Sequence, residues 1–220
     1  VSLHVQSASN GVGGYWVNNI VPNSQAVQNT LKQSSTGYTK SCGPTTLLFI
    51  HNHLSGQPGG FANFNIVAGS QAAVDSIYGY LGIALNSYTS IDQMKAVAKG
   101  KFGYTNSVRM PATNTVTQNM DKLIDYMNRD IPVITVLRGG YGKNPVGNYD
   151  HIAFIFAYNR MKDEYGRNPL DPLNTRNNDT LSWYEPYYGT IGQTLRKEVT
   201  SSGSSSAFNI VNFSFVAIAK

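Results

Sequence analysis

Apolar residues recur at helical spacing through the first two thirds of the chain and gather into short β-branched blocks in the last third. Val27 and Leu31, four apart after Ser24, predict a short helix from Ser24 to Leu31. The run from Cys42 to about Leu54 predicts a second helix, with Gly56 suited to its C-terminal cap. Ala72, Ala73, Ile77 and Tyr80 predict a third over 70–81. Ser90 and Gln93 make a Ser-x-x-Gln capping pattern for a fourth, ending at Gly100. Met120, Leu123, Ile124 and Met127 share one face of a fifth, from about Thr117 to Asn128. The period then changes. Residues 131–137, 151–158 and 181–184 read as strands, and 208–219 as a long apolar strand region. Polar or Gly-rich stretches at 1–20, 57–65, 139–149 and 160–179 read as loops, the first as a loop or short strand leading in. Helices followed by an antiparallel sheet make an α+β chain. A single domain over 1–220 is expected, with a helical lobe at about 20–130 and a sheet lobe at about 131–220.

Composition narrows the function classes. Of 220 residues, 41% are hydrophobic, enough for a packed core. Only 13% are charged, and Asn, Ser, Thr, Gly and Tyr carry the polarity instead, which suits a secreted or periplasmic protein. The net charge of +5 comes from scattered Lys and Arg, so nucleic acid is not an expected partner. No apolar stretch is long enough to predict a membrane span. The first residue, Val1, fits a mature form after leader removal.

The one cysteine, Cys42, excludes an intrachain disulfide and a multi-cysteine zinc site. It stands before Gly43, Pro44 and an apolar helix. Proline is tolerated in a first helical turn because its missing N–H would have no helical partner there. Cys42 is therefore expected at a helix N-terminus, where the helix dipole favours a thiolate, the nucleophilic form of cysteine. The competing reading is a small buried hydrophobe.

A thiolate nucleophile needs a base, and the base an orienting acceptor. The histidines are His4, His51, His53 and His151. His51 and His53 lie about 13–16 Å along the Cys42 helix at 1.5 Å per residue, too far to reach back. They read as ordinary helix-surface residues and, two apart, make a poor metal pair. His151 opens a strand after a Gly-rich loop and is the candidate base. If the 181–184 strand pairs antiparallel with it, that strand's end brings Glu185 beside His151. Asn159 is about 26 Å away along the strand, and Asp179 falls at the far end of the hairpin. Asn174, Asn177 or Asn178 from the long loop are alternatives to Glu185. The Cys42 N–H can supply one oxyanion donor, and Gln33, in the turn leading to Cys42, a second; Gln25 and Gln28 lie on the expected helix.

Three segments, Ser41-Cys42-Gly43-Pro44-Thr45-Thr46-Leu47, Asp150-His151-Ile-Ala-Phe-Ile-Phe-Ala-Tyr158 and Tyr184-Glu185-Pro186-Tyr187, come in an order that resembles the papain-like cysteine peptidases. The similarity is greatest to the bacteriocin-processing peptidases that cut after double-glycine leaders, and to their secreted bacterial relatives. The resemblance implies a helical lobe and a sheet lobe, a cleft between them, a peptide or protein substrate, and neither metal nor organic cofactor. It assigns Cys42 as nucleophile, His151 as base and a glutamine to the oxyanion. Those relatives carry Asp or Asn where this chain has Glu185, and Gly where it has Asp150. The same layout serves amidases, deamidases and transpeptidases, and it can persist in a non-enzymatic binding or toxin-accessory module.

Overall fold

The computed structural model describes residues 5–7, 12–16, 37–55, 70–111, 113–129, 131–137, 151–161, 179–187, 190–195 and 215–220. Among these, four helices and eight strands alternate in the order β1 (Val5–Ser7), β2 (Val12–Trp16), α1 (Cys42–Ser55), α2 (Ser70–Leu81), α3 (Ile91–Gly100), β3 (Val108–Arg109), α4 (Val116–Asn128), β4 (Val133–Leu137), β5 (His151–Met161), β6 (Thr180–Glu185), β7 (Thr190–Leu195) and β8 (Phe215–Ala217). The expected helix at 24–31, the 57–65 and 139–149 loops, and Gln25, Gln28, Gln33, His4, Asp150, Asn174, Asn177 and Asn178 lie outside the described residues.

The helix boundaries follow local chemistry. Ser90 accepts a hydrogen bond from the Gln93 N–H while the Gln93 side chain accepts from the Ser90 N–H, closing the capping box read in the sequence. Thr115 and Gln118 repeat it at α4, which therefore begins at Val116. That Thr-x-x-Gln signal lay one turn before the apolar stripe and was the better marker of the start.

All eight strands pair antiparallel in one sheet, with β5 at its centre. One edge of β5 carries β6, from Phe154↔Tyr184 to Asn159↔Thr180, with a bulge between Ile155 and Ala157. The other edge is shared: β4 pairs with residues 151–155 and β2 with residues 157–161. Residues 12–16, within the stretch read as a loop or short strand, form a strand of the main sheet, although Gly13 and Gly14 weaken the local signal. The rest of the sheet departs from the sequence reading in two ways. β5 runs on to Met161, because β2 gives Asn159 and Arg160 partners at Gly14 and Gly13. The strands at 108–109 and 190–195 were not anticipated; the first pairs β8 and the second β6. Of the expected 208–219 strand region, Phe215–Ala217 form a strand that fills the gap between β4 and β3, and residues 208–214 lie outside the described residues.

The core lies between the helices and this sheet. Leu47, Phe49 and Ile50 of α1, Val74, Ile77 and Tyr78 of α2, and Met94 and Val97 of α3 are buried with Ile152, Phe154, Tyr184 and Phe215. Removing such a continuous apolar surface from water is the dominant stabilising contribution. None of the described helices is long and apolar enough to cross a membrane.

Candidate functional site

Helix α1 meets strand β5 along a stripe that starts at Cys42. Thr46, four residues on, donates its hydroxyl to the Ile152 carbonyl at 3.4 Å. Phe49, seven residues on, packs its ring 5.5 Å from Phe154 and stacks at 5.1 Å on Tyr184. Positions 42, 46 and 49 share one helix face. Seven helical residues advance about 10.5 Å, and three strand residues about 10 Å. With Phe49 seated at Phe154, the helix therefore reaches the head of β5 at Cys42.

There Cys42 and His151 are hydrogen-bonded through their side chains. Both are buried, Cys42 with 6% and His151 with 2% of its surface exposed. Burial pushes the thiol pKa up, since a thiolate loses water's solvation. The His151 hydrogen bond and its charge oppose that, helped by backbone hydrogen bonds from Ile152 and Gly43, and the net result is a pKa below the ordinary thiol value.

Local sequence explains the helix start. The Ser41 carbonyl accepts from the Thr45 N–H at 2.9 Å, and the Ser41 and Thr45 hydroxyls meet at 3.3 Å. Pro44, in the first turn, has no N–H to leave unpaired. Gly43 is needed for space. A β-carbon there would press on the Thr89 hydroxyl, inside 3.0 Å, and crowd Ile152 Cδ1 and Met94 Sδ.

His151 also stands opposite Leu137 of β4, so its backbone is held by a central pairing. On the other edge of β5, Tyr184 pairs with Phe154. One further step of that register sets the Glu185 backbone across from Ala153, two residues from His151. Asp179 sits at the far end of β6, as the hairpin geometry required, buried with its carboxylate accepting from the Tyr158 hydroxyl at 2.6 Å.

His51 is not the surface residue expected. It is half-buried, stacked on Phe102 at 4.0 Å, with Nδ1 2.8 Å from the Tyr104 hydroxyl. Phe102 and Tyr104, beyond the end of α3, supply a wall that α1 alone could not reveal. Burial pulls its pKa down, with the positive charges of Lys220 and Lys101 acting the same way. Among the described residues no group of three or more His, Cys, Asp or Glu could hold a metal ion.

The sequence profile of the Peptidase C39 like family matches residues 17–195, about four fifths of the chain. The chain belongs to that family. It is by family a papain-like peptidase of the C39 type, and Cys42, His151 and Glu185 all fall inside the matched span. No curated protein matches it. The α+β arrangement, with the helices ahead of most of the sheet and Cys42 at a helix start, accords with the C39-like assignment.

Proposed function

We propose that this C39-like chain is a cysteine peptidase whose nucleophile is Cys42 and whose base is His151. The hydrogen bond between these side chains carries the reading, because it holds a buried thiol below its ordinary pKa. The Cys42 thiolate attacks the scissile carbonyl carbon, forming a C–S bond and moving the carbonyl π electrons onto oxygen. The Cys42 N–H and Gln33 hold that oxyanion. Collapse breaks the C–N bond while the His151 imidazolium gives its proton to the leaving amine, leaving a thioester. Water, deprotonated by His151, attacks the thioester and releases the new carboxylate and the thiolate. Glu185 orients the imidazole and stabilises its charged form. The substrate is a peptide or protein, the whole chain acts as one catalytic domain, and the low charge content supports a secreted or periplasmic setting.

The test is to label the native protein with a thiol-reactive peptide analogue, map the modified residue, and compare peptide hydrolysis by the native protein with that of Cys42→Ala and His151→Ala. Modification at Cys42 and loss of hydrolysis in both variants are expected. Hydrolysis that survives Cys42→Ala would overturn the assignment.

A further inference from the structure

The segment between α2 and α3 is built against the chain on either side of Cys42, at Lys40 and Gly43. The Lys40 N–H donates to Asn86 Oδ1 at 2.8 Å. The buried Tyr78 hydroxyl reaches both the Lys40 carbonyl, at 3.4 Å, and the Ser87 carbonyl, at 3.1 Å. Thr89 packs on Gly43. Asn86, at φ 57°, is the one non-glycine residue with a left-handed backbone among the described residues. That conformation is uncommon without a structural demand, and here the Asn86 side chain holds the strand of chain two residues before the thiol.

This fixed frame presents apolar groups to water. The described residues include four large exposed hydrophobics, and two of them, Leu85 at 54% and Tyr88 at 53%, lie in this one segment. The Lys40 ammonium sits 5.0 Å from the centre of the Tyr88 ring, a cation–π contact that leaves its outer donors open. Among the described residues Lys40 has no carboxylate partner. The nearby Asp75 is engaged by the Tyr38 hydroxyl at 2.8 Å.

We infer that Leu85, Tyr88 and Lys40 form a substrate subsite that selects a peptide carrying a bulky apolar side chain next to an acidic one. The inference rests on the peptidase reading. Lys40 is two residues from Cys42, at most about 7.6 Å between α-carbons. An extended peptide covers that span in two to three residues at about 3.3 Å each. The selected pair therefore falls within about three positions of the scissile bond. Leu85 and Tyr88 take the apolar side chain, and Lys40 pairs with the carboxylate.

The test uses three peptidyl acyloxymethyl ketones that differ only in that pair: Phe-Glu, Phe-Lys and Ser-Ser. The rate of Cys42 modification by each is divided by the rate with iodoacetamide. The native protein is expected to prefer Phe-Glu by about tenfold or more, the range one apolar pocket supplies. Lys40→Glu should reverse the Glu-over-Lys preference. Lys40→Gln, which keeps the backbone bond to Asn86, should erase it and serves if the charge reversal misfolds. Tyr88→Ala and Leu85→Ser should remove the preference for Phe-Glu over Ser-Ser with the iodoacetamide rate unchanged. Fast peptidyl labelling with preferences that none of these variants alters would overturn the subsite and leave the peptidase reading standing. No peptidyl reagent outpacing iodoacetamide at Cys42 would overturn both.

Discussion

Gly43 and Thr89 leave no room between them for a side chain: a β-carbon on Gly43 would fall inside 3.0 Å of the Thr89 hydroxyl. That hydroxyl is buried and has no hydrogen-bond partner among the described residues. The glycine next to the candidate nucleophile is thus dictated by a residue from the connection between α2 and α3.

Gly43→Ala is predicted to destabilise the fold. Alanine favours a helix over glycine by about 1 kcal/mol, but overpacking costs about 1–3 kcal/mol, and Thr89 is too short to swing away. Thr89→Ala alone should be near neutral, since it removes a hydroxyl that gains nothing from burial. The double variant should recover most of the loss. Denaturant unfolding of all four proteins closes the cycle; equal losses in the single and double variants would show that Thr89 is not the obstacle.

Cys42 is predicted to react with iodoacetamide with a pH midpoint below that of a free thiol, about 8.5. In His151→Ala the hydrogen bond and charge are gone and burial remains, so the midpoint should rise above the free-thiol value. A midpoint unmoved by the substitution would mean that His151 does not set the thiol's ionisation.

His51 gives a stability prediction with a definite sign. Its folded pKa lies below its unfolded value, near 6.5. Between those two values the unfolded chain binds more protons, so stability rises with pH. Stability is therefore lost as pH falls from about 6.5 through the folded pKa, and above about 6.5 His51 contributes no slope. Unfolding midpoints from pH 7 to 5 should fall less steeply in His51→Phe, which keeps the stack on Phe102 without a titrating ring. Parallel profiles would remove His51 as the cause. The variant should retain peptide hydrolysis, because His51 lies nine residues down the helix from Cys42.

Glu185→Gln is expected to keep the fold and lower turnover by about two to four orders of magnitude, as loss of a triad acid does. Kinetics beside Asn174→Ala, Asn177→Ala and Asn178→Ala assign the third position. Near-normal turnover in Glu185→Gln with collapse in one Asn variant would move the orienting role into the 162–178 segment.

The sequence by itself determined the local elements that bear the candidate site. Cys42 opens a helix because Ser41, Pro44 and an apolar run satisfy a helix start within a few residues. His151 opens a strand because β-branched and aromatic residues follow a Gly-rich stretch. The capping boxes at Ser90 and Thr115 were written within four residues, and the β5–β6 hairpin put Asp179 at the right end. These features depend on neighbours along the chain, so a single sequence exposes them. Only the tertiary structure decided the rest. Strand β2 completes an edge of β5 from residues near the other end of the chain, and no local signal encodes that pairing. His51 is half-buried because Phe102 and Tyr104 arrive from the turn beyond the end of α3. The thiol's pKa falls only because Thr46 and Phe49 lock α1 onto Ile152, Phe154 and Tyr184, bringing His151 to Cys42. Burial pulls that pKa up, and the His151 hydrogen bond and charge, with backbone hydrogen bonds from Ile152 and Gly43, pull it down, so the balance rests on contacts between distant segments.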